Sequence, residues 1–380
     1  MKYSRTAAIL RAFVALFLAL ASISALTMPF FAVEISPADI SVSAQSALLL
    51  DAADKTVIYQ KNAEQRMGMA STTKIMTALV AAERLPLDRQ ISISPEAVGI
   101  EGSSVYLCAE ELLSARELLL ALMLASANDA AVALAIEVAG SIEAFAELMN
   151  KRAQQLGLRD TNFTNPHGLD DQQHYTTAHD LALIAAAALE NPVVREIAST
   201  KKAVIPQGVT PENGDGASTR YLKNHNKMLS LYDGAIGMKT GFTKKTGRCL
   251  VSAAERDGLT LIAVTLSAPD DWNDHTRMLD LGFSLYERVT LFEIGEFRTQ
   301  YAVAGGKDCY VTLTNTQPIS ITLPKTKEEA VCTVLASRRF EFAPIEKATI
   351  LASLSVRVGK KYATSPLAAA YSVERREKRK

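Results

Sequence analysis

Residues 235–267 read AIGMKTGFTKKTGRCLVSAAERDGLTLIAVTLS. Three apolar runs, 235–243, 248–255 and 259–267, are separated by a polar stretch ending in glycine and by the tight-turn pair Asp257-Gly258. This spacing predicts three successive antiparallel strands. Near the other end of the same region, residues 46–63 (SALLLDAADKTVIYQKNA) alternate as a hairpin that turns through Asp51 to Lys55. Between these strand groups the apolar residues recur at helical spacing, which predicts helices over 71–84, 114–124, 128–139, 141–156 and 176–190. Gly157 ends the fourth of these and Asn191-Pro192 stops the fifth, and a last helix is expected over 271–288. Strands enclosing a helical middle give a layered α+β domain. From 289 onward the helical period vanishes, and short Val, Thr and Ile runs at 309–314, 318–323 and 352–358 predict a small all-β unit.

The 380 residues exceed one ordinary core, so more than one unit is expected. The organisation expected is 1–33 as an export signal, 34–45 as a linker reaching into a domain at 38–288, a β-rich domain at 289–365 and a basic tail at 366–380. Lys plus Arg and Asp plus Glu are 41 each, and a zero balance argues against nucleic acid as a partner. The first 33 residues hold no Asp or Glu, and Lys2, Arg5 and Arg11 precede the apolar run AFVALFLALASISALTMPFFAV at 12–33. That layout predicts a secretory signal with cleavage near Ser24 or Ala25, and an uncleaved anchor helix is the alternative. Either way the remainder is exported, to the cell surface or periplasmic side, or secreted. Outside the cytosol Cys309 and Cys332 could pair, whereas Cys108 and Cys249 are expected as free buried thiols. His167, His174, His179, His225 and His275 lack zinc-protease spacing, and no metal is expected. No cofactor is expected either.

Three short patterns stand in order: Ser71-Thr72-Thr73-Lys74, Ser126-Ala127-Asn128 and Lys239-Thr240-Gly241. The first begins a helix, and three residues are nearly one turn, so Lys74 faces the same way as Ser71. A second Ser-x-x-Lys at Ser199 lies in a polar stretch without helical period, and a second Lys-Thr-Gly at 245–247 reads as turn residues. Chemistry explains the set. A serine hydroxyl needs a base within reach, and a lysine is a base only if burial and a second cation, here Lys239, lower its pKa. Ser126 can relay a proton to a leaving amine, and Asn128 can hold a substrate amide. Thr240 offers a hydroxyl to a carboxylate beside Lys239, and Gly241 leaves room for a substrate backbone along the strand edge. The amides of Ser71 and Phe242 together would make an oxyanion hole. The bland readings are a helix cap at Ser71, another at Ser126-Ala127-Asn128, and an exposed edge strand at Lys239.

This set resembles the penicillin-binding protein and serine β-lactamase superfamily, and most closely its low-molecular-mass D-alanyl-D-alanine carboxypeptidases. The supporting stretches are 46–76, 126–140, 161–181 and 233–253, and the similarity with its β-rich C-terminal domain covers roughly 40–365. The resemblance implies a transpeptidase-like domain with a central antiparallel sheet and a helical subdomain. It implies removal of the terminal D-alanine from peptidoglycan pentapeptide stems through a Ser71 acyl-enzyme, cleared by water with Lys74 as base, and inhibition by β-lactams. Ser71, Lys74, Ser126, Asn128 and Lys239 would be catalytic, and Thr240, Gly241, Phe242 and His225 would contact substrate. His225 stands where some relatives carry arginine, and Phe242 where some carry histidine. The alternatives are an endopeptidase or transpeptidase acting on crosslinks with the same site, and a non-catalytic β-lactam-binding wall protein. The basic tail suggests peripheral contact with membrane or wall.

Overall fold

The computed structural model describes residues 40–208, 218–325 and 331–377. The expected export signal lies outside the described residues. The chain divides into two compact units between Ser284 and Leu285, ahead of the expected break at 288.

In chain order the first unit contains β1 (Ser46–Asp51), β2 (Val57–Lys61), a 3₁₀ turn (Ala70–Thr73), α1 (Lys74–Ala82), β3 (Gln90–Ser92), β4 (Leu112–Ser114), α2 (Ala115–Leu124), α3 (Asn128–Ala139) and α4 (Ile142–Gln155). It continues with α5 (Ala178–Glu190), α6 (Pro192–Ser199), β5 (Lys202–Pro206), β6 (Thr219–Lys223), α7 (Met228–Leu231), β7 (Ala235–Thr243), β8 (Gly247–Arg256), β9 (Leu259–Leu266) and α8 (Asp271–Leu285). The main sheet is antiparallel with order β2-β1-β9-β8-β7, so the hairpin read from 46–63 joins the strands read from 235–267 through β1 against β9. β1 is buried along its whole length, as its unbroken Ala-Leu-Leu-Leu run requires. β7 is left as an edge strand.

The helices pack over a core that includes Leu48, Ile75, Leu79, Leu119, Leu134 and Val251. α3 is nearly all Ala, Val, Leu and Ile, sits fully buried over its first two turns, and ends on Gly140 in the left-handed conformation (φ 82°). α2 begins with a complete capping box between Ser114 and Glu117.

Several expectations need correction. Val42 and Ala44 are buried, and the Ser43 amide and hydroxyl both donate to Asp274, so residues 42–45 are packed rather than linker. Asn191-Pro192 ends α5 but also starts α6: Asn191 Oδ1 accepts from the amides of Val193 and Val194, and proline occupies the first turn, where no amide is needed. Ser199 therefore closes a helix instead of lying in an aperiodic stretch. The last helix ends at Leu285, and β10 begins at Tyr286.

The second unit contains β10 (Tyr286–Phe292), β11 (Arg298–Ala304), β12 (Tyr310–Asn315), β13 (Ile319–Pro324), β14 (Val331–Ser337), β15 (Glu341–Phe342), β16 (Ile350–Val358) and β17 (Lys361–Ala369). β10 pairs with β13, and a second sheet has the order β14-β16-β17-β12-β11-β15. Its core gathers Val311, Leu313, Ile321, Leu354, Val356 and Leu367. Residues 366–376 are not a free tail: 366–369 complete β17, Val373 pairs with Ile345, and the Arg376 amide donates to Gly305. All four cysteines are free, and Cys108 is exposed rather than buried. Cys309 precedes β12 and Cys332 lies in β14; with β16 and β17 between them and about 4.8 Å per strand step, the pair is beyond disulfide reach.

Removing the capping box tests the helical layer. Ser114→Ala should cost about 1 kcal/mol and lower the unfolding midpoint by roughly 2–4 °C, read by thermal denaturation. An unchanged midpoint would contradict the capping role.

Candidate active site

Ser71 lies inside the 3₁₀ turn, and neither that turn nor α1 uses a side-chain cap, so the cap reading of Ser71 is wrong. Its hydroxyl instead meets Lys74, whose side chain is fully buried. Lys74 Nζ lies 2.9 Å from Ser71 Oγ, 2.7 Å from Asn128 Oδ1 and 2.6 Å from the carbonyl oxygen of His167. The two carbonyl oxygens can only accept hydrogen bonds, whereas a hydroxyl can donate or accept. A neutral amine has two hydrogens and one lone pair. Asn128 and His167 take both hydrogens, and the lone pair is left facing the Ser71 hydroxyl. The set is therefore satisfied with Lys74 deprotonated and positioned to accept the Ser71 proton.

Electrostatics push the same way. Burial holds Lys74 well below the ordinary lysine value, the charge of Lys239 lowers it further, and Asp129 opposes. Lys239 is also buried, its Nζ donates to the Thr240 carbonyl at 2.9 Å, and burial brings it down to about 7.

The Asn128 amide has one allowed orientation: Nδ2 donates to the Glu101 carbonyl at 2.5 Å, so Oδ1 must face Lys74. Its backbone amide donates to the Ser103 carbonyl at 2.7 Å. The adjacent Asp129 accepts from Ser104 Oγ and from the amides of Val105 and Leu107, which fixes the segment carrying those carbonyls.

The turn before Ser71 is held from below. His174 Nδ1 accepts from the Thr164 amide, so the ring proton sits on Nε2 and is donated to Thr73 Oγ1 at 2.7 Å, which in turn donates to the Ala70 carbonyl. Burial lowers His174 to about 4 and His167 to about 3, so both rings stay neutral. Left-handed non-glycine residues stand at all three motifs: Ala70 (φ 46°) before Ser71, Ser126 itself (φ 61°) and Met238 (φ 102°) before Lys239. Such backbone persists only where the surroundings enforce it, and it gathers at functional sites.

A cavity of about 510 Å³ is lined by Ser71, Ser126, Thr240, Gly241, Phe242 and His225, six of the nine residues expected from the sequence. The other three, Lys74, Asn128 and Lys239, are buried. A Cβ on Gly241 would lie 3.0 Å from the amide nitrogens of Ser71 and Thr72 and 3.1 Å from the Met69 carbonyl, so β7 passes the serine turn as closely as backbone allows. Phe242 is 63% exposed, as a residue at the rim of an open cleft must be. The competing copies are occupied otherwise: Ser199 Oγ donates to the Glu196 carbonyl, and Thr246 Oγ1 donates to Asp170 in the turn between β7 and β8.

Sequence reasoning missed the His167 carbonyl, having considered His167 only as a possible metal ligand. Its signal was Asn165-Pro166-His167-Gly168: Gly168 is left-handed (φ 89°), and a Cβ there would lie 1.9 Å from the Ala70 carbonyl, so only glycine lets this loop approach the serine turn. Arg248 and Trp272 also line the cavity, with Arg248 donating to the buried Asp271 at 2.8 Å.

The family model described as D-alanyl-D-alanine carboxypeptidase matches residues 32–270. The D-alanyl-D-alanine carboxypeptidase DacF of Bacillus subtilis is 33% identical over 341 residues, 87% of this chain and 86% of that protein. Penicillin binding protein 5 from Haemophilus influenzae superposes with a TM-score of 0.69 at 28% identity, covering 89% of this chain and 99% of the other. A mutant of the Streptomyces K15 DD-transpeptidase gives 0.62 at 33% identity, covering 65% of this chain and all (100%) of the other. With a family model spanning more than half of its length and relatives matching nearly end to end, this chain belongs to the D-alanyl-D-alanine carboxypeptidase family.

Proposed function

We propose that this protein is a serine D-alanyl-D-alanine carboxypeptidase acting on peptidoglycan stem peptides outside the cytoplasm, with Ser71 as nucleophile. The observation that carries the residue assignment is the Lys74 amine, buried, with two hydrogens committed to carbonyls and its third position on Ser71 Oγ. Lys74 takes the Ser71 proton as Oγ attacks the D-Ala–D-Ala carbonyl. The amides of Ser71 and Phe242 receive the oxyanion, in the gap that Gly241 keeps open. Ser126 passes a proton to the leaving amine, and D-alanine departs. Water, with Lys74 again as base, hydrolyses the ester and restores Ser71. Thr240 Oγ1 receives the substrate carboxylate beside Lys239, while His225 and Phe242 border the same cavity. β-Lactams acylate the same hydroxyl. Peripheral contact with membrane or wall would fall to the exposed basic residues near the C-terminus, Arg375 and Arg376 among them.

A transpeptidase or endopeptidase reading uses the same residues, and the likeness to the Streptomyces K15 DD-transpeptidase favours keeping it. The products decide: free D-alanine from a pentapeptide, or cleavage or formation of crosslinked dimers.

Ser71→Ala should abolish labelling by fluorescent penicillin and lower D-alanine release by about 10³-fold or more, with the fold retained. Persistent labelling of that variant would refute the nucleophile assignment. The pH profile carries a second expectation. Acylation requires neutral Lys74, so its rate falls as pH drops through the Lys74 pKa. The Lys239 charge helps hold that pKa down, and it is present only as pH falls through about 7. Lys239→Gln removes it, raises the Lys74 pKa and should move the acid limb of penicillin acylation to higher pH. A limb that stays in place or moves to lower pH contradicts this coupling.

A further inference from the structure

Asn128 is aimed at Lys74 by two carbonyls, those of Glu101 and Ser103, and both belong to an irregular segment leading up to β4. That segment includes two non-glycine residues in the left-handed region, Tyr106 (φ 57°) and Glu110 (φ 64°). It does not hold its own shape by local propensity, so something must impose it.

The imposing group is a buried ion pair brought in from the β5–β6 hairpin. Glu111 is fully buried. Its Oε1 accepts from Arg220 Nη1 at 2.5 Å and from the Gly208 amide at 2.5 Å. Its Oε2 accepts from Arg220 Nη2 at 3.0 Å and from the Cys108 amide at 2.9 Å. The same guanidinium donates through Nε to the Val105 carbonyl at 2.8 Å, and through Nη2 to the Tyr106 carbonyl at 3.0 Å. One planar fork thus holds a carboxylate and two successive carbonyls of the segment. Asp129 also holds the amides of Val105 and Leu107. Gly208 fits because it has no side chain: a Cβ would lie 2.3 Å from the Leu112 carbonyl and 2.5 Å from Glu111 Cγ.

We propose that Arg220 and Glu111 are positioning residues for the acyl-transfer reaction, acting through the 101–107 segment to keep Asn128, and through it Lys74, in register with Ser71. A buried ion pair is weak evidence of a purely stabilising role, because desolvation offsets much of its attraction. What the planar fork supplies is geometry, and lysine cannot reproduce it. The proposal rests on the carboxypeptidase reading given above.

The test uses the full mature chain with Glu111→Gln, Arg220→Met and Arg220→Lys. Phe145→Leu serves as control, a fully buried α4 residue outside the site whose trimming lowers stability without touching the clasp. Thermal midpoints, kcat and KM for D-alanine release from a synthetic pentapeptide, and the penicillin acylation rate are measured where each variant is folded. Glu111→Gln and Arg220→Met should lower kcat and acylation by about ten-fold or more, with KM changed by less than about three-fold. Arg220→Lys should fall between Met and wild type, and Phe145→Leu should stay within about two-fold of wild type despite its lower midpoint. If Met or Gln variants do not fold, Arg220→Lys decides alone. Folded clasp variants with wild-type kcat overturn the proposal, as does an equal loss in Phe145→Leu. A wild-type chain that releases no D-alanine overturns the carboxypeptidase reading and the proposal together, which distinguishes the two failures.

Discussion

The buried amine of Lys74 is the constraint from which the rest of the active site follows. An ammonium removed from water is costly, and one placed near a second buried cation is costlier still. The protein meets this by offering Lys74 two acceptors that satisfy the neutral form and one hydroxyl that can donate to it. Each acceptor is held in turn: Asn128 by the Glu101 and Ser103 carbonyls, and the His167 carbonyl by a loop that Gly168 allows against Ala70. Take away either acceptor and a buried N–H loses its partner. The lone pair would then have no fixed direction.

The fold supplies this by bringing three kinds of element to one place. The serine turn and α1 come from the helical layer, Asn128 from the start of α3, and Lys239 to Phe242 from the edge strand of the main sheet. An edge strand matters because it keeps backbone groups on one side free for an extended peptide. The left-handed residues at Ala70, Ser126 and Met238 show that the chain accepts local strain where the three segments meet. That strain is held by burial and by hydrogen bonds such as the His174–Thr73–Ala70 relay.

Much of this was legible in the sequence, for identifiable reasons. The hairpin at 46–63 and the strands from 235 to 267 have strong apolar patterning with glycine or Asp-Gly punctuation, and these signals survive tertiary context. Short motifs offered Ser71, Lys74, Asn128 and Lys239 as candidates, and the cavity gathers Ser126, Thr240, Gly241, Phe242 and His225 beside Ser71. What was not legible came from two sources. Proline after Asn191 was read as a stop, although proline equally suits a helix start, and so α6 was missed. Groups that act through the backbone carry no side-chain signature of their own, and the His167 carbonyl was marked only indirectly, by the neighbouring Gly168. The Arg220–Glu111 pair was invisible because its members are far apart in the chain and its partners are mostly main-chain atoms.

Activation of Ser71 depends on the protonation state of one side chain, Lys74. Carbon-13 labelling of the lysine ε-carbons, with the Lys74 resonance assigned by its loss in Lys74→Arg, would follow its titration directly by NMR in the resting protein. The structure predicts that this resonance titrates far below the ordinary lysine value of 10.5. A Lys74 that loses its proton only near 10.5 would leave Ser71 without a base and contradict the account at its centre.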